Sequence, residues 1–414
     1  MKIDIRNIGS ELRSPIAKFT INLALLEGMY WFASAIGGYG NYYLQQNGFA
    51  ASQIGTINGT CSIVGIFASI LWGYISDRIN SVKKTFFIVM ILSIIVNSVI
   101  PLIPLHLSYS FFIVIFYWAF TNFLTGVAPT LLDNLSVRSC AILGINFGLI
   151  RCTGSIFYTV GNLISEPLIV RFGVGMTYPI SRACAIPVLI LLAFSFDPKI
   201  KGETGVRDLK THPKKISLRP LFSNYYYSSF MVFAVIFTLA TSTEYGFLTY
   251  LMAERGIQTE KFALFLAVRA LAEVPSLLIM KRLRSRFKLK YIIMAAVLIY
   301  SSYLLGLGLV VRSLGAMLIT AVLFGFGNGL IIGSVSTYLY KLAPDELKAS
   351  AQTVYTAFTS LSAIIANFIG GFIYDAVGGG FYTVIGTVAI IAALIFAVSF
   401  IFGRKFPNPG DELN

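Results

Sequence analysis

The stretch that decides the fold is Gly73-Tyr74-Ile75-Ser76-Asp77-Arg78-Ile79-Asn80-Ser81-Val82-Lys83-Lys84. It is short, polar and basic, and it sits between two long apolar runs, Ser52–Ser76 and Thr85–Leu105. A run that long matches the roughly 20 residues a helix needs to cross the hydrocarbon of a bilayer. The same alternation continues through the chain. Runs are expected at Lys18–Leu44, Tyr109–Val137, Ile145–Ile169 and Met176–Phe196, and then at Tyr225–Leu251, Thr259–Met280, Tyr291–Val311, Leu314–Tyr340, Ser350–Tyr374 and Tyr382–Gly403. Spanning segments must be helices or a closed barrel, and continuous runs of this length are not the ten-residue alternating strands of a barrel. The expectation is an all-α membrane protein with twelve transmembrane helices.

Composition agrees. Of 414 residues, 56% are hydrophobic and 12% charged, whereas soluble domains carry about 25% charged residues. The net charge of +14 invites a nucleic-acid reading, but its distribution argues against one. Alternate loops collect the basic residues: Arg78, Lys83 and Lys84; Lys199, Lys201, Arg207, Lys210, Lys214, Lys215 and Arg219; Lys281, Arg282, Arg284, Arg286, Lys288 and Lys290. The loops between them hold little beyond Arg171, Arg255, Lys261 and Arg312. That is the positive-inside pattern. It places both termini in the cytoplasm and the chain in the cytoplasmic membrane, with lipid and no nucleic acid as partner. The first apolar segment lacks a small-residue cleavage site, so no cleavable signal peptide is expected. Cys61, Cys140, Cys152 and Cys184 have no metal spacing and read as small apolar residues.

The polar stretch 197–224, with Gly202, Gly205, Pro213 and Pro220, reads as a cytoplasmic linker. It divides the chain into a six-helix bundle over 1–196 and another over 225–414. The halves echo each other weakly: Tyr43-Leu44 and Gly48-Phe49 in the first, Tyr250-Leu251 and Gly256-Ile257 in the second. Parallel six-helix repeats are a transporter plan with the substrate site at their interface.

Charged residues inside spans are costly and mark cavities, partners or ion pathways. The candidates are Glu27, Asp133, Arg151, Arg182, Glu244, Arg269 and Glu273. Asp133 follows Ala128-Pro129-Thr130, and Arg151 stands in Phe147-Gly148-Leu149-Ile150-Arg151-Cys152-Thr153-Gly154-Ser155, with Tyr158 two turns on and on the same face. A carboxylate and a planar guanidinium offer acceptors and paired donors to hydroxyl groups, and a ring face suits the C–H side of a sugar or an aromatic ligand. A structural ion pair between helices is the competing reading. Arg269 lies four residues before Glu273, so an i, i+4 pair is the plain reading there. Glu27 shares a helical face with Trp31, and Glu27 and Glu244 are each within reach of pairing with Arg182 or Arg151.

The loop at Gly73 resembles the signature of the major facilitator superfamily, G-x-x-x-D-R-x-x-x-+-+. The stretches at Asp133 and Arg151 resemble those of lactose-permease-like oligosaccharide:proton symporters, as do Ala272-Glu273-Val274-Pro275, Ala351-Gln352 and Gly370-Gly371-Phe372-Ile373-Tyr374-Asp375. The resemblance spans essentially the whole chain. It implies the major facilitator fold and a monomeric secondary transporter, not an enzyme, with no cofactor or metal. It implies substrate contacts from Asp133, Arg151, Tyr158 and Glu273, proton coupling through Glu273, and a conformational switch at Gly73, Asp77 and Arg78. Two acids stand outside that pattern: Glu244 in the seventh span is expected to face the substrate as well, and Glu27, an isolated acid in the first span, is the second choice for proton coupling. The substrate implied is a small polar solute, a sugar or glycoside, with a proton as co-substrate. A nucleoside, aromatic-acid or drug carrier of the same superfamily, and a non-transporting sensor, are the alternatives. The sequence departs from the symporter pattern where the family carries a histidine and an acid in helix 10; here Leu323-Phe324-Gly325-Phe326-Gly327-Asn328 has neither. Tyr300-Ser301-Ser302-Tyr303 replaces the arginine expected in helix 9, and Thr359 lies near the lysine position of helix 11. The only histidines, His106 and His212, fall in loops, and no phosphate-binding glycine loop is present.

Overall fold

The structure, a computed structural model, describes residues 15–105, 109–145, 147–195, 197–198, 218–344 and 347–405. The basic residues before residue 15, His106, His212 and linker residues 199–217 lie outside them. The regular elements among the described residues are all helices: α1 Pro15–Gly37, α2 Gly40–Gln46, α3 Ala51–Ile79, α4 Val82–Ser98, α5 Ser110–Thr125, α6 Ala128–Leu143, α7 Phe147–Phe172 and α8 Thr177–Phe194. Then come α9 Arg219–Ser223, α10 Tyr225–Thr241, α11 Leu248–Glu254, α12 Phe262–Arg284, α13 Leu289–Leu305, α14 Leu314–Leu342, α15 Lys348–Val377 and α16 Phe381–Phe402.

Ten stretches of the described residues are long and apolar enough to cross a membrane. The last, Ser350–Phe402, holds two helices, α15 and α16, joined by the 3-10 turn Gly378–Gly380. Helix α7, which carries Arg151, Glu166 and Arg171, is outside the ten. Three runs expected as single helices are broken. The first divides at Gly38-Tyr39. The fourth divides at Gly126-Val127, where Pro129 takes a first-turn position of α6, because proline has no N–H to continue a helix. The seventh is interrupted by the 3-10 turn Glu244–Phe247. Large apolar side chains on the outer faces, such as Ile70, Phe116, Phe194 and Phe402, are exposed, as a surface solvated by lipid requires.

The chain forms two compact units that do not follow chain order: residues 1–40 with 63–211, and 41–62 with 212–414. In the first unit, α1 packs along α7. Glycines make the approach close: a Cβ on Gly161 would stand 2.8 Å from Ala35 Cβ, and one on Gly28 would stand 2.9 Å from the Phe157 ring. Leu26, Phe86, Val89, Leu132, Leu135, Val188 and Leu192 fill its core. The loop between α3 and α4 is tied to the end of α8. Ser81 caps α4 by accepting from Lys84 N at 3.1 Å and donates to Asp197 at 2.9 Å. Lys83 Nζ donates to Ala193 O and Ser195 O at 3.0 and 2.7 Å, a cation on orphan carbonyls at a helix C-terminus. Gly73, Asp77 and Arg78 are exposed, and a Cβ on Gly73 would meet nothing within 4 Å.

In the second unit an aromatic core gathers Phe230, Phe233, Tyr338 and Phe396. The first half of α3 lies on α15, with Gly59 under Phe368 and Gly55 under Asn367 and Gly371. Asp375 of α15 accepts from Ala51 N at 3.1 Å and Ser52 N at 2.9 Å, an acid on the free N–H groups of the α3 N-terminus. Helix α14 meets α12 at Gly325, where a Cβ would stand 2.6 Å from both Ala272 Cβ and Arg269 O. Gly325→Val should therefore force the two helices apart and cost about 1–3 kcal/mol, as overpacking does. Thermal melting of the purified variant checks this; an unchanged midpoint would show that α14 can shift freely.

Candidate functional site

Two polar constellations lie inside the helices, one in each unit. In the first, Glu27 is fully buried on α1. One turn on, Trp31 Nε1 donates to Glu27 Oε2 at 3.1 Å. Glu27 Oε1 is enclosed and makes no well-aligned hydrogen bond, although the buried Ser136 hydroxyl of α6 acts on the same carboxyl, an under-satisfied acceptor of a kind native interiors rarely leave. Arg151 of α7 lies with Cζ 4.5 Å from the Trp31 ring centre. Its Nε stands 3.9 Å from Asp133 Oδ1 of α6, with side-chain exposures of 35% for Arg151 and 47% for Asp133. Tyr158 meets Trp31 edge-on, ring centres 6.2 Å apart. Gly154 makes this possible, since a Cβ there would stand 2.6 Å from Trp31 Cδ1 and 3.0 Å from Arg151 Nη1.

Chemically, this is an open site. The Asp133–Arg151 pair is too long to be a closed bidentate bridge, so a guanidinium with five donors and a carboxylate stay half exposed beside two aromatic rings. Asp133, Arg151 and Tyr158, singled out in the sequence, are brought together. Glu27 joins them through Trp31. Arg182, by contrast, donates to Ser93 Oγ at 2.7 Å and Ser181 Oγ at 2.9 Å, not to Glu27.

The second constellation is more tightly paired, with Arg269 Nη1 its one enclosed donor lacking a hydrogen-bond partner among the described residues. Arg269 of α12 does not turn to Glu273, four residues on; its Nη2 donates to Glu244 Oε1 at 2.7 Å. Tyr303 Oη donates to Glu244 Oε2 at 2.6 Å, and Tyr382 Oη to Glu244 O at 2.8 Å. The Arg269 guanidinium lies on the Phe324 ring at 3.3 Å. Both oxygens of Glu244 are engaged, so the break in the seventh span is pinned to α12, α13 and α16. Glu273 is half-buried and accepts from Asn328 Nδ2 of α14 at 3.2 Å. Tyr303 and Asn328, at which the sequence departs from the symporter pattern, are therefore the partners of the two acids, Glu244 and Glu273, and Phe324 is the ring under Arg269. The signal for them was only their helix position; nothing in their spacing names Glu244 or Glu273.

A multi-helix membrane fold with buried charges in both units is the architecture of a solute carrier. Residues 23–384 match the MFS_1 like family, and the chain belongs to that family of major facilitator transporters. It is 26% identical over 403 residues to the transporter YwbF of Bacillus subtilis (strain 168), covering 92% of this chain and 90% of that one. Among solved structures, the fold is similar to the nucleoside transporter NupG (TM-score 0.72, 15% identity, covering 92% of this chain and 99% of that one). It is also similar to a D-xylose-proton symporter (TM-score 0.71, 14% identity, covering 97% of this chain and 100% of that one).

Proposed function

We propose that the protein is a secondary active transporter moving a small polar solute, a sugar or glycoside, across the cytoplasmic membrane by alternating access with proton symport. The observation that supports this most is the open cluster of Asp133, Arg151, Trp31 and Tyr158, which joins hydroxyl-binding groups to ring faces. In this reading Asp133, Arg151 and Tyr158 bind the solute and Glu273 is a further contact, with the linker 197–224 and both termini cytoplasmic. Glu244 is the remaining solute contact expected from the sequence; with both carboxylate oxygens engaged by Arg269 and Tyr303, it holds the helix break in this reading and does not bind solute directly. The chain works as a monomer, without a cofactor. The rings of Trp31 and Tyr158 also suit a nucleobase, which keeps a nucleoside as the second substrate class. The deciding experiment is a thermal-shift screen of purified protein with lactose, D-xylose, uridine and aromatic acids. Stabilisation by sugars is expected; stabilisation by uridine alone would move the assignment to nucleosides.

Proton coupling needs a group whose charge state biases solute binding. Glu273, beside Asn328, and Glu27, with its under-satisfied Oε1, are the two carriers proposed. Adding solute to wild-type vesicles should drive proton uptake, and Glu273→Gln or Glu27→Gln should abolish it. Retention by both variants would remove both acids from the coupling.

The exposed Asp77 and Arg78 are proposed to latch the cytoplasmic side in another state of the cycle. Asp77→Asn is expected to slow turnover several-fold while leaving solute affinity unchanged. Lost affinity at unchanged turnover would contradict that role.

A further inference from the structure

A third polar cluster lies in the second unit, apart from the ion pair. Helix α2 and the first half of α3 reach the break in the seventh span. A Cβ on Gly246 would stand 3.5 Å from Asn41 Nδ2 and 3.6 Å from Asn58 Nδ2. Two amides from different helices thus converge over a residue with no side chain. Both asparagines are half-buried, and neither amide makes a side-chain hydrogen bond among the described residues. One turn along α2 from Asn41, Gln45 Oε1 is enclosed without a partner, and so is Thr249 Oγ1, one turn on from Gly246. Buried polar atoms are nearly always paired, so open valences gathered on neighbouring faces mark a place where something else completes them.

The walls around this cluster are fixed. Tyr42 and Thr259 share a hydroxyl–hydroxyl bond of 2.9 Å, Tyr250 Oη donates to Phe49 O, and Asp375 caps the start of α3. The Glu244–Arg269–Tyr303 contacts hold the break itself. The cluster of Asn41, Asn58, Gln45 and Thr249 holds no charged side chain, so it offers an anion no counter-charge of its own. An amide presents a donor and an acceptor side by side, which matches neighbouring hydroxyls, each able to give and to take a hydrogen bond.

We infer that Asn41 and Asn58, meeting over Gly246, form a neutral subsite for a vicinal diol of the transported solute. The inference rests on the transport reading and adds to it a specificity element. A diol of this kind is carried by pyranoses and by ribose alike; the test separates them.

The full chain in lipid nanodiscs is titrated with lactose, D-xylose, uridine and 2′,3′-dideoxyuridine. Asn41→Leu and Asn58→Leu should each raise the Kd of the bound probe about tenfold or more, the loss expected for one or two hydrogen bonds. Asn58→Gln should recover part of it, and the melting midpoints should stay near wild type. If uridine is the probe, its dideoxy analogue should bind tenfold more weakly to wild type and no differently from uridine to Asn58→Leu. A change below twofold in both leucine variants overturns the subsite. Arg151→Lys is run alongside: if it alone loses binding, the subsite falls and the transport reading stands. If no probe binds wild type, labelling decides. With Cys61, Cys140, Cys152 and Cys184 replaced by serine, Asn58→Cys should react with a water-soluble methanethiosulfonate from one side of reconstituted vesicles. No reaction from either side overturns the proposal.

Discussion

Arg269→Leu is expected to lower the stability of the protein by about 3–5 kcal/mol, the usual result of removing one member of a buried ion pair. Glu244 would be left 3% exposed with only Tyr303 on its carboxylate, a charge with neither water nor counter-ion. Glu244→Gln should be costly for the converse reason, since Arg269 cannot shed its proton. The double variant Glu244→Gln with Arg269→Leu should recover part of the loss, because it removes the stranded charge as well as the attraction. Melting of the four proteins in one detergent measures this coupling. Single variants that melt like wild type would mean that the pair does not hold the helix break.

Arg151→Lys is expected to leave the fold intact and to lower transport efficiency on the order of 10- to 100-fold, equivalent to losing about 1.5–3 kcal/mol of charged hydrogen bonding. Its side chain is 35% exposed and its ion pair is long, so little stability depends on it. An ammonium keeps the charge but cannot present parallel donors or lie on the Trp31 ring in the same way. The measurement is initial uptake rate against solute concentration in vesicles, together with the melting midpoint. Normal uptake would remove Arg151 from the site.

What the sequence revealed and what it hid follow one physical distinction. Helix periodicity relates residues on one helix, so Glu27 with Trp31, and Arg151 with Tyr158, could be read from spacing, whereas Asp133 beside Arg151 was legible only as what the family resemblance implies. The partner of Arg269 could not be read from spacing. Spacing along α12 favoured Glu273, yet the side chain turns to Glu244, 25 residues back in the chain, because the break at Glu244–Phe247 swings that acid into the bundle. A break that follows from packing leaves only a faint local mark, here the single glycine of Glu244-Tyr245-Gly246-Phe247. The breaks at Gly38 and Pro129 carried plainer marks and were legible in principle. The grouping of residues 41–62 with 212–414 was hidden for a related reason: Gly55 meets Asn367 and Gly371, Gly59 meets Phe368, and Asp375 meets Ala51 and Ser52 across more than 300 residues of chain, pairings that no local pattern announces.

We propose that the protein carries a small polar solute across the membrane, driven by a proton gradient and bound at Arg151. The most direct measurement is accumulation of labelled lactose, D-xylose and uridine in proteoliposomes given an inside-alkaline pH gradient. The account predicts that at least one is concentrated above its external level, that collapsing the gradient abolishes the excess, and that Arg151→Lys retains no more than about a tenth of the initial rate. No protein-dependent flux of any of the three, with or without the gradient, would contradict it.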